Sequence, residues 1–178
     1  MDSARSLKSK SKFLKFFNSL KKEDKVAVFA HAGCVDGIIS SFFIDKILER
    51  QGIKNKKISF ISYKKEVFEE VSEIINDFGA NKVIILDINV ENVDFKGFIA
   101  FSKKYDFLFV DHHPKPPELK ASEKIIKSVG DDCTAFLVYI FGENIFDSKK
   151  FDWLVRAAMV SEFSFKSKEN LDFIKEKY

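Results

Sequence analysis

The tripeptide Asp111-His112-His113 places a carboxylate and two imidazoles side by side, directly after four apolar residues. That apolar run, residues 107–110, has the length and the aromatic and β-branched content of a short buried strand. Pro114 then prevents the strand from continuing. Polar groups at the end of a buried strand are costly unless they meet partners, and ligands bind at the carboxyl ends of strands in open α/β sheets. A ligand site is therefore expected here.

Two other strand-like runs also lead into side chains that can bind a ligand. Residues 26–30 precede His31, which is followed by Cys34 and Asp36, and residues 83–86 precede Asp87. The chain has three histidines, and all three follow apolar runs of this kind. Parallel strands bring their carboxyl ends to one edge of a sheet, so these distant groups are expected to converge.

Imidazoles combined with several carboxylates favour hard to borderline divalent ions such as Mn²⁺ or Mg²⁺. Two such ions, about 3.5–4 Å apart, hold the attacking and leaving oxygens of a phosphoryl displacement and need a bridging carboxylate. Asp87 is the natural bridge because its strand lies in the chain between the other two sources of ligands. The alternative is that these are unrelated polar residues at three strand ends.

The elements that would position these groups alternate between strands and helices. Strands are predicted at 26–30, 58–63, 83–86, 107–110 and 124–129, and helices at 13–20, 38–50, 65–78, 94–104, 149–163 and 168–177, with another beginning near Thr134. Strands separated by helices of about 10–15 residues indicate crossover connections and a parallel sheet. We predict an α/β fold with a parallel sheet of about five strands flanked by helices, in a single domain.

The predicted domain spans residues 21–178, after a basic N-terminal tail and a short helix in residues 1–20. Residues 1–12 are rich in serine and lysine and are expected to be a solvated tail or a fraying helix start, with an arm that touches nucleic acid as the alternative.

Composition limits the class of protein. The 178 residues, 46% of them hydrophobic, are enough for one domain with a substantial core. The net charge of +3 permits a polyanionic substrate without requiring one. Two cysteines in unrelated contexts form no disulfide framework, so we expect a cytoplasmic location. No apolar run approaches the roughly 20 residues of a membrane span, and no membrane association is expected.

Three motifs together carry a resemblance to a known family. They are Asp111-His112-His113, the pattern His31-x-x-Cys34-x-Asp36-Gly37, and Ile85-Leu86-Asp87. With Cys133-Thr134-Ala135 at the start of a helix, the chain resembles the N-terminal domain of the DHH phosphoesterase family over about residues 20–165. The family includes RecJ-type single-strand exonucleases, oligoribonucleases and family II pyrophosphatases.

The resemblance implies a two-ion site, most naturally for Mn²⁺, with Mg²⁺ as the alternative. The implied ligands are His31 and Asp87 for one ion, and Asp36, Asp87 and His112 for the other. His113 would contact the substrate phosphate, and Asp111 would orient or polarise its neighbours.

The chain departs from the family pattern at three points. Cys34 occupies a position where many members have a metal-binding aspartate, and is either a ligand or a small buried thiol. Glu162 is nearest to a fourth motif that usually supplies an aspartate, and is either a ligand or an ordinary exposed glutamate. A smaller C-terminal domain that closes over the site is missing, which indicates a minimal form, a part of a larger protein, or a lid supplied by a partner protein or second subunit.

Two functions are open at this point. One is a metal-dependent phosphoesterase that hydrolyses phosphodiester bonds, with single-stranded or short oligonucleotides favoured by the basic tail and abundant lysine. The other is a catalytically degenerate scaffold of this fold, acting in a DNA replication or repair assembly.

Overall fold

The structure, a computed structural model, describes residues 6–127 and 130–176. The strands are β1 (Val26–His31), β2 (Lys56–Ile61), β3 (Lys82–Leu86), β4 (Phe107–Asp111) and β5 (Ile125–Lys127). The helices are α1 (Leu7–Asn18), α2 (Val35–Arg50), α3 (Val67–Phe78), α4 (Val90–Val93), α5 (Phe95–Lys104), α6 (Thr134–Gly142), α7 (Asp152–Ser161) and α8 (Lys168–Lys175), with a 3₁₀ helix at Ser148–Phe151.

All five strands run parallel in one sheet, in the order β2-β1-β3-β4-β5. This confirms the predicted α/β fold with a parallel sheet flanked by helices. From β1 the chain continues to β2, on one side of β1 in the sheet, whereas from β3 it continues to β4, on the other side. Such a reversal opens a crevice at the carboxyl ends of the two strands, where ligands bind in α/β proteins.

The central strands are almost entirely apolar because helices cover both faces of the sheet. Alternate side chains point to opposite faces and join separate clusters. One cluster contains Val28, Ile84 and Leu108 with residues of α1, α2, α6 and α7. The other contains Phe29, Ile85 and Phe109 with residues of α3 and α5.

Helix α1 begins earlier than the sequence pattern predicts, because Ser6 caps it by accepting a hydrogen bond from the Ser9 amide at 3.2 Å. Its aromatic residues Phe13 and Phe17 are buried in the same core as α2 and α6. Residues 7–12 therefore form the start of a helix, one of the two expectations for this segment, rather than a solvated tail. Lys10 pairs with Glu143 at 2.8 Å. Residues 1–5 lie outside the described part of the chain.

Several boundaries differ from the sequence-based ones for local reasons. Helix α2 begins three residues early, at Val35, because Cys34 caps it. Strand β2 is shifted to Lys56–Ile61, which leaves Tyr63 beyond its end. The helix predicted at 149–163 is divided into the 3₁₀ helix and α7. Residues 128–129 of the fifth predicted strand and residue 177 of the last predicted helix lie outside the described residues.

Among the residues that the structure describes, no helix has both the length and the apolar character needed to cross a membrane.

Candidate metal centre

The carboxyl ends of β1, β3 and β4 lie next to one another in the sheet. Each predicted site residue from the first three motifs is at or just beyond one of these ends: His31, Cys34 and Asp36 after β1, Asp87 after β3, and Asp111, His112 and His113 at the end of β4. Glu162 reaches the same place from the end of α7, where its Oε2 lies 3.8 Å from His112 Nε2. The fold thus brings the eight predicted residues to one edge.

The turn between β1 and α2 is held by a tight backbone contact. Gly37 lies so close to the end of β1 that a Cβ atom there would be 2.4 Å from the carbonyl oxygen of His31. Cys34 Sγ accepts a hydrogen bond from the Gly37 amide at 3.3 Å and caps α2. This turn sets the positions of His31, Cys34 and Asp36 relative to one another.

Asp36 is fully buried and is held by the N-terminus of α6. Its Oδ2 accepts a hydrogen bond from the Thr134 amide at 2.8 Å, and its Oδ1 accepts one from the Ala135 amide at 2.7 Å. The first amides of a helix have no partners within the helix, and the helix dipole favours a negative charge there. The Cys133-Thr134-Ala135 motif therefore serves to fix this carboxylate.

Asp87 adopts a left-handed backbone conformation, with φ of 54°, directly after β3. Aspartate tolerates this conformation better than most residues other than glycine. Its Oδ2 accepts a hydrogen bond from the Cys34 thiol at 2.8 Å, and its Oδ1 accepts one from the Thr134 hydroxyl at 3.3 Å. Asp87 thus sits at the centre of the cluster, in contact with residues of the other two strands' loops.

Two buried carboxylates face one imidazole at the centre of the site. His112 Nε2 lies 3.3 Å from Asp87 Oδ1 and 3.8 Å from Asp36 Oδ2. Among the described residues, no lysine or arginine nitrogen is within 4.0 Å of either carboxylate. Burial would lower the pKa of His112, but its contacts with Asp87 and Asp36 raise it, so protonated His112 offsets one of the two negative charges. The remaining buried negative charge suits the site to bind a cation in place of that proton.

The pKa shifts follow from this arrangement. Burial, and then the charge of Asp87, raise the pKa of Asp36 well above its ordinary value. Burial alone would also raise the pKa of Asp87, but its contacts with His112, Asp36 and Cys34 outweigh burial and lower it. Burial and the neighbouring Asp87 raise the pKa of the Cys34 thiol, which is consistent with a protonated thiol that donates to Asp87.

The donor set fits divalent cations. His31, Cys34 and Asp87 each offer one ligand atom, and these atoms lie within 4.8 Å of one another; the same is true of Asp87, His112 and His113. Asp87 belongs to both groups, as a bridging carboxylate would. The buried His112 Nε2 makes no hydrogen bond within the described chain, which leaves it available as a ligand.

His113 is held at the edge of the site by a chain of buried charges. Its Nδ1 lies 2.7 Å from Asp111 Oδ1, and the other oxygen of Asp111 contacts Lys127 Nζ. Lys127 also contacts Glu91, and all three of these charged side chains are at most 4% exposed. Burial would raise the pKa of Asp111, but its contacts with His113 and Lys127 lower it to about 2. The hydrogen bond with Asp111 raises the pKa of His113.

Sequence reasoning did not single out Lys127, Glu91 or Tyr63. The ring of Tyr63 packs edge-on against His31, with centroids 4.9 Å apart, and its hydroxyl accepts a hydrogen bond from the Asn89 amide at 3.2 Å. Tyr63 ends a strand-like run, which is the signal that identified the other site residues. Lys127 is a charged residue within a predicted strand, whereas nothing in the local sequence marks Glu91.

The fold and the site define a class of protein. A family model described as the DHH family, N-terminal domain, matches residues 25–160, and the chain belongs to this family. A comparison with curated protein sequences gave no match.

Solved structures with similar folds include the following three proteins. An exopolyphosphatase-related protein from Bacteroides fragilis has a TM-score of 0.63 and 18% identity, and the match covers 94% of this chain and 55% of that one. The exonuclease RecJ bound to manganese has a TM-score of 0.72 and 11% identity, covering 94% of this chain and 46% of that one. CDC45 from Entamoeba histolytica has a TM-score of 0.66 and 13% identity, and the match covers 94% of this chain and 37% of that one.

At identities of 11–18%, the similarity to these structures shows that the fold is shared. The chain spans about half the length of the first two structures and little more than a third of the third.

Proposed function

We propose that the protein is a divalent-metal-dependent phosphoesterase that hydrolyses phosphodiester bonds in single-stranded or short oligonucleotides. The observation that carries the proposal is the pair of buried carboxylates, Asp36 and Asp87, which face His112 with no lysine or arginine nitrogen within 4.0 Å among the described residues. Family membership supports a phosphoesterase-type scaffold, and the binding of manganese by the similar RecJ structure supports Mn²⁺ as the ion.

The proposed ligands are His31 and Asp87 for one ion, and Asp36, Asp87 and His112 for the other. Cys34 and Glu162 are additional candidates at the first and second positions. When bound, two divalent ions would neutralise phosphate charge and activate water for attack on phosphorus. Mg²⁺ is the alternative ion for the same oxygen-rich ligands.

The role proposed for His113 is to hold the substrate phosphate. The hydrogen bond to Asp111 orients its ring and favours the protonated form, which binds a phosphate oxygen more strongly. Asp111 acts through His113, since it is fully buried and its two oxygens are engaged by His113 and Lys127.

Hydrolysis of labelled single-stranded oligonucleotides with added Mn²⁺ tests the proposal. Asp87→Asn is the sharpest inactive variant, because asparagine also tolerates the left-handed conformation and retains the size of the side chain. Asp106→Asn is the matched control, because Asp106 is 47% exposed and pairs with Lys82 and Lys124 away from the site. We expect Mn²⁺-dependent cleavage by the native protein and Asp106→Asn only; equal cleavage by Asp87→Asn would reject the site, and no cleavage by any of the three would reject the substrate.

A non-catalytic scaffold in a DNA replication or repair assembly is the second candidate. It is supported by the similarity of the fold to CDC45 and by the cysteine at position 34 where many family members have aspartate. Isothermal titration calorimetry with Mn²⁺ distinguishes the two candidates. Two bound ions favour the enzyme, whereas no binding favours the scaffold.

The proposed partners are single-stranded nucleic acid and a further protein or subunit that closes over the site. Site-closing elements exclude water and position the substrate, which contributes much of the rate in phosphoryl chemistry. Both cysteines are free thiols, so we also propose a reducing compartment, most simply the cytoplasm.

A further inference from the structure

The two groups of candidate ligands differ in their chemistry. The group His31, Cys34 and Asp87 offers one nitrogen, one sulfur and one oxygen, whereas the ligands proposed for the other ion, Asp36, Asp87 and His112, offer no sulfur. Thiolate ligands favour borderline and soft ions, whereas carboxylates suit Mg²⁺ and Mn²⁺. A mixed set of three protein ligands that leaves one coordination position open is typical of catalytic Zn²⁺ sites.

Two hydrogen bonds hold the sulfur atom of Cys34 in place. Its Sγ accepts from the Gly37 amide at 3.3 Å as the cap of α2, and donates to Asp87 Oδ2 at 2.8 Å. The thiol hydrogen therefore lies between a sulfur and a carboxylate oxygen, where an ion held by both atoms would replace it. His31 flanks this point, and its ring is positioned by Tyr63.

We propose that Cys34 is a metal ligand, so that the two ion positions are unequal: the position formed by His31, Cys34 and Asp87 takes a borderline ion of the Zn²⁺ class, and the other takes a hard ion such as Mn²⁺. This inference rests on the proposed two-ion site and specifies which ions occupy it. The thiol loses its proton to solvent when the ion binds, and no oxidation is involved.

Two substitutions separate the sulfur from the structural role of the residue. Cys34→Ser retains the cap of α2, because serine is a favoured capping residue, and removes only the sulfur. Cys34→Asp is also a good cap and gives the position an oxygen ligand. Cys133→Ala removes the second cysteine, which is fully buried, and leaves Cys34 as the one thiol.

Co²⁺ is a suitable probe because a cobalt–thiolate bond gives a near-ultraviolet charge-transfer absorption band that oxygen and nitrogen ligands lack. Metal-free protein, kept reduced with a phosphine, is titrated with Co²⁺ while ion stoichiometry is followed by calorimetry. The native protein and Cys133→Ala should show the band, and Cys34→Ser should lack it. Zn²⁺ should abolish the band by displacing Co²⁺, whereas excess Mn²⁺ should leave it.

Direct competition gives a second readout. Removing a residue that only hydrogen-bonds to a metal ligand lowers metal affinity about 10–100-fold. Cys34 is proposed to bind the ion directly, so Cys34→Ser should lower the Zn²⁺ affinity of this position at least about tenfold. Cys34→Asp should shift the preference from Zn²⁺ towards Mn²⁺. Two bound ions without the band in the native protein would overturn the inference and leave the proposed function intact. The absence of any bound ion would overturn both.

Discussion

Lys127 is the residue on which the buried charges beside the site depend. It contacts both Glu91 and Asp111, and these two carboxylates are fully buried. Burial already raises the pKa of Glu91, against the attraction of Lys127, so removal of the lysine would leave Glu91 without a cation and Asp111 with His113 alone.

We therefore expect Lys127→Met to lower the free energy of unfolding by about 3–5 kcal/mol, measured by urea denaturation at neutral pH. Lys46→Met is the control, because Lys46 is 33% exposed and pairs with Glu49 on the surface, where an ion pair contributes less than about 1 kcal/mol. Similar losses in the two variants would show that the Lys127 network is not buried as described.

Gly37 has a steric role that no other residue can fill. We expect Gly37→Ala to lower the free energy of unfolding by about 1–3 kcal/mol, because the new methyl group would press on the backbone of His31 at 2.4 Å. Gly33→Ala should cost less, since its Cβ would meet the movable His31 ring at 3.0 Å. Equal denaturation midpoints for Gly37→Ala and the native protein would contradict this account of the turn.

Site residues could be predicted from the sequence wherever a polar residue follows an apolar run. That pattern predicted His31, Asp87 and the Asp111-His112-His113 motif, because strand ends in a parallel sheet share one edge. Lys127 and Glu91 were beyond its reach, since their pairing depends on the lateral register of β5 against β4 and on the placement of α4. Contacts of this kind produce no periodic pattern in the local sequence.

At the scale of elements, α1 is a structural part of the core. Phe13 is 0% exposed and packs against Phe17 and against Phe141 of α6, with centroids 4.5 and 5.6 Å away. The sequence pattern predicted a packed helix from residue 13 and a solvated tail or fraying helix start before it, because lysines dominate residues 8–12. The structure uses two of those lysines in tertiary contacts, with Glu143 and with the Ser122 carbonyl oxygen.

We expect Phe13→Ala to lower the free energy of unfolding by about 3–5 kcal/mol, the usual cost of removing a buried aromatic ring. Leu7→Ala on the same helix should change it by no more than about 0.5 kcal/mol, since Leu7 is 88% exposed. Denaturation by urea, followed by circular dichroism, measures both. A small effect of Phe13→Ala would mean that α1 does not belong to the cooperative unit.

Most of the elements were predictable because helix and strand periodicities are strong in this chain. The short helix α4 was not predicted. Elsewhere single contacts decide the boundaries: Cys34 caps α2 and so extends it towards the N-terminus, and the change from 3₁₀ to α-helix at Asp152 divides one predicted helix into two. Sequence periodicity does not register such contacts.

At the scale of the whole molecule, ion binding and folding should be coupled. Burial and the charge of Asp87 raise the pKa of Asp36, so ionised Asp36 destabilises the ion-free protein, and a cation that binds only the folded state stabilises the protein. At an ion concentration 100 times the dissociation constant, this stabilisation is about 2.7 kcal/mol. Chelation with EDTA should therefore lower the melting temperature of the native protein.

Asp87→Asn should reduce this response, because the variant lacks the carboxylate that belongs to both groups of candidate ligands. Burial would raise the pKa of Asp87, but its contacts lower it, so the folded protein favours the ionised form and the substitution should not raise the melting temperature in EDTA. In saturating Mn²⁺ we expect the native protein to gain more in melting temperature than the variant. Differential scanning calorimetry in EDTA and in Mn²⁺ measures both gains. An identical response of native protein and variant to Mn²⁺ would show that the ion does not bind at Asp87.

Strand β5 has a dynamic consequence for the site. It has three residues and lies at the margin of the sheet, paired through its described residues with β4 alone. Short margin strands open by local fluctuation far more often than central ones. Each opening would withdraw Lys127 from Asp111 and loosen the orientation of His113, so the rate of amide hydrogen exchange at Ile126 would report how often the contacts that hold His113 open.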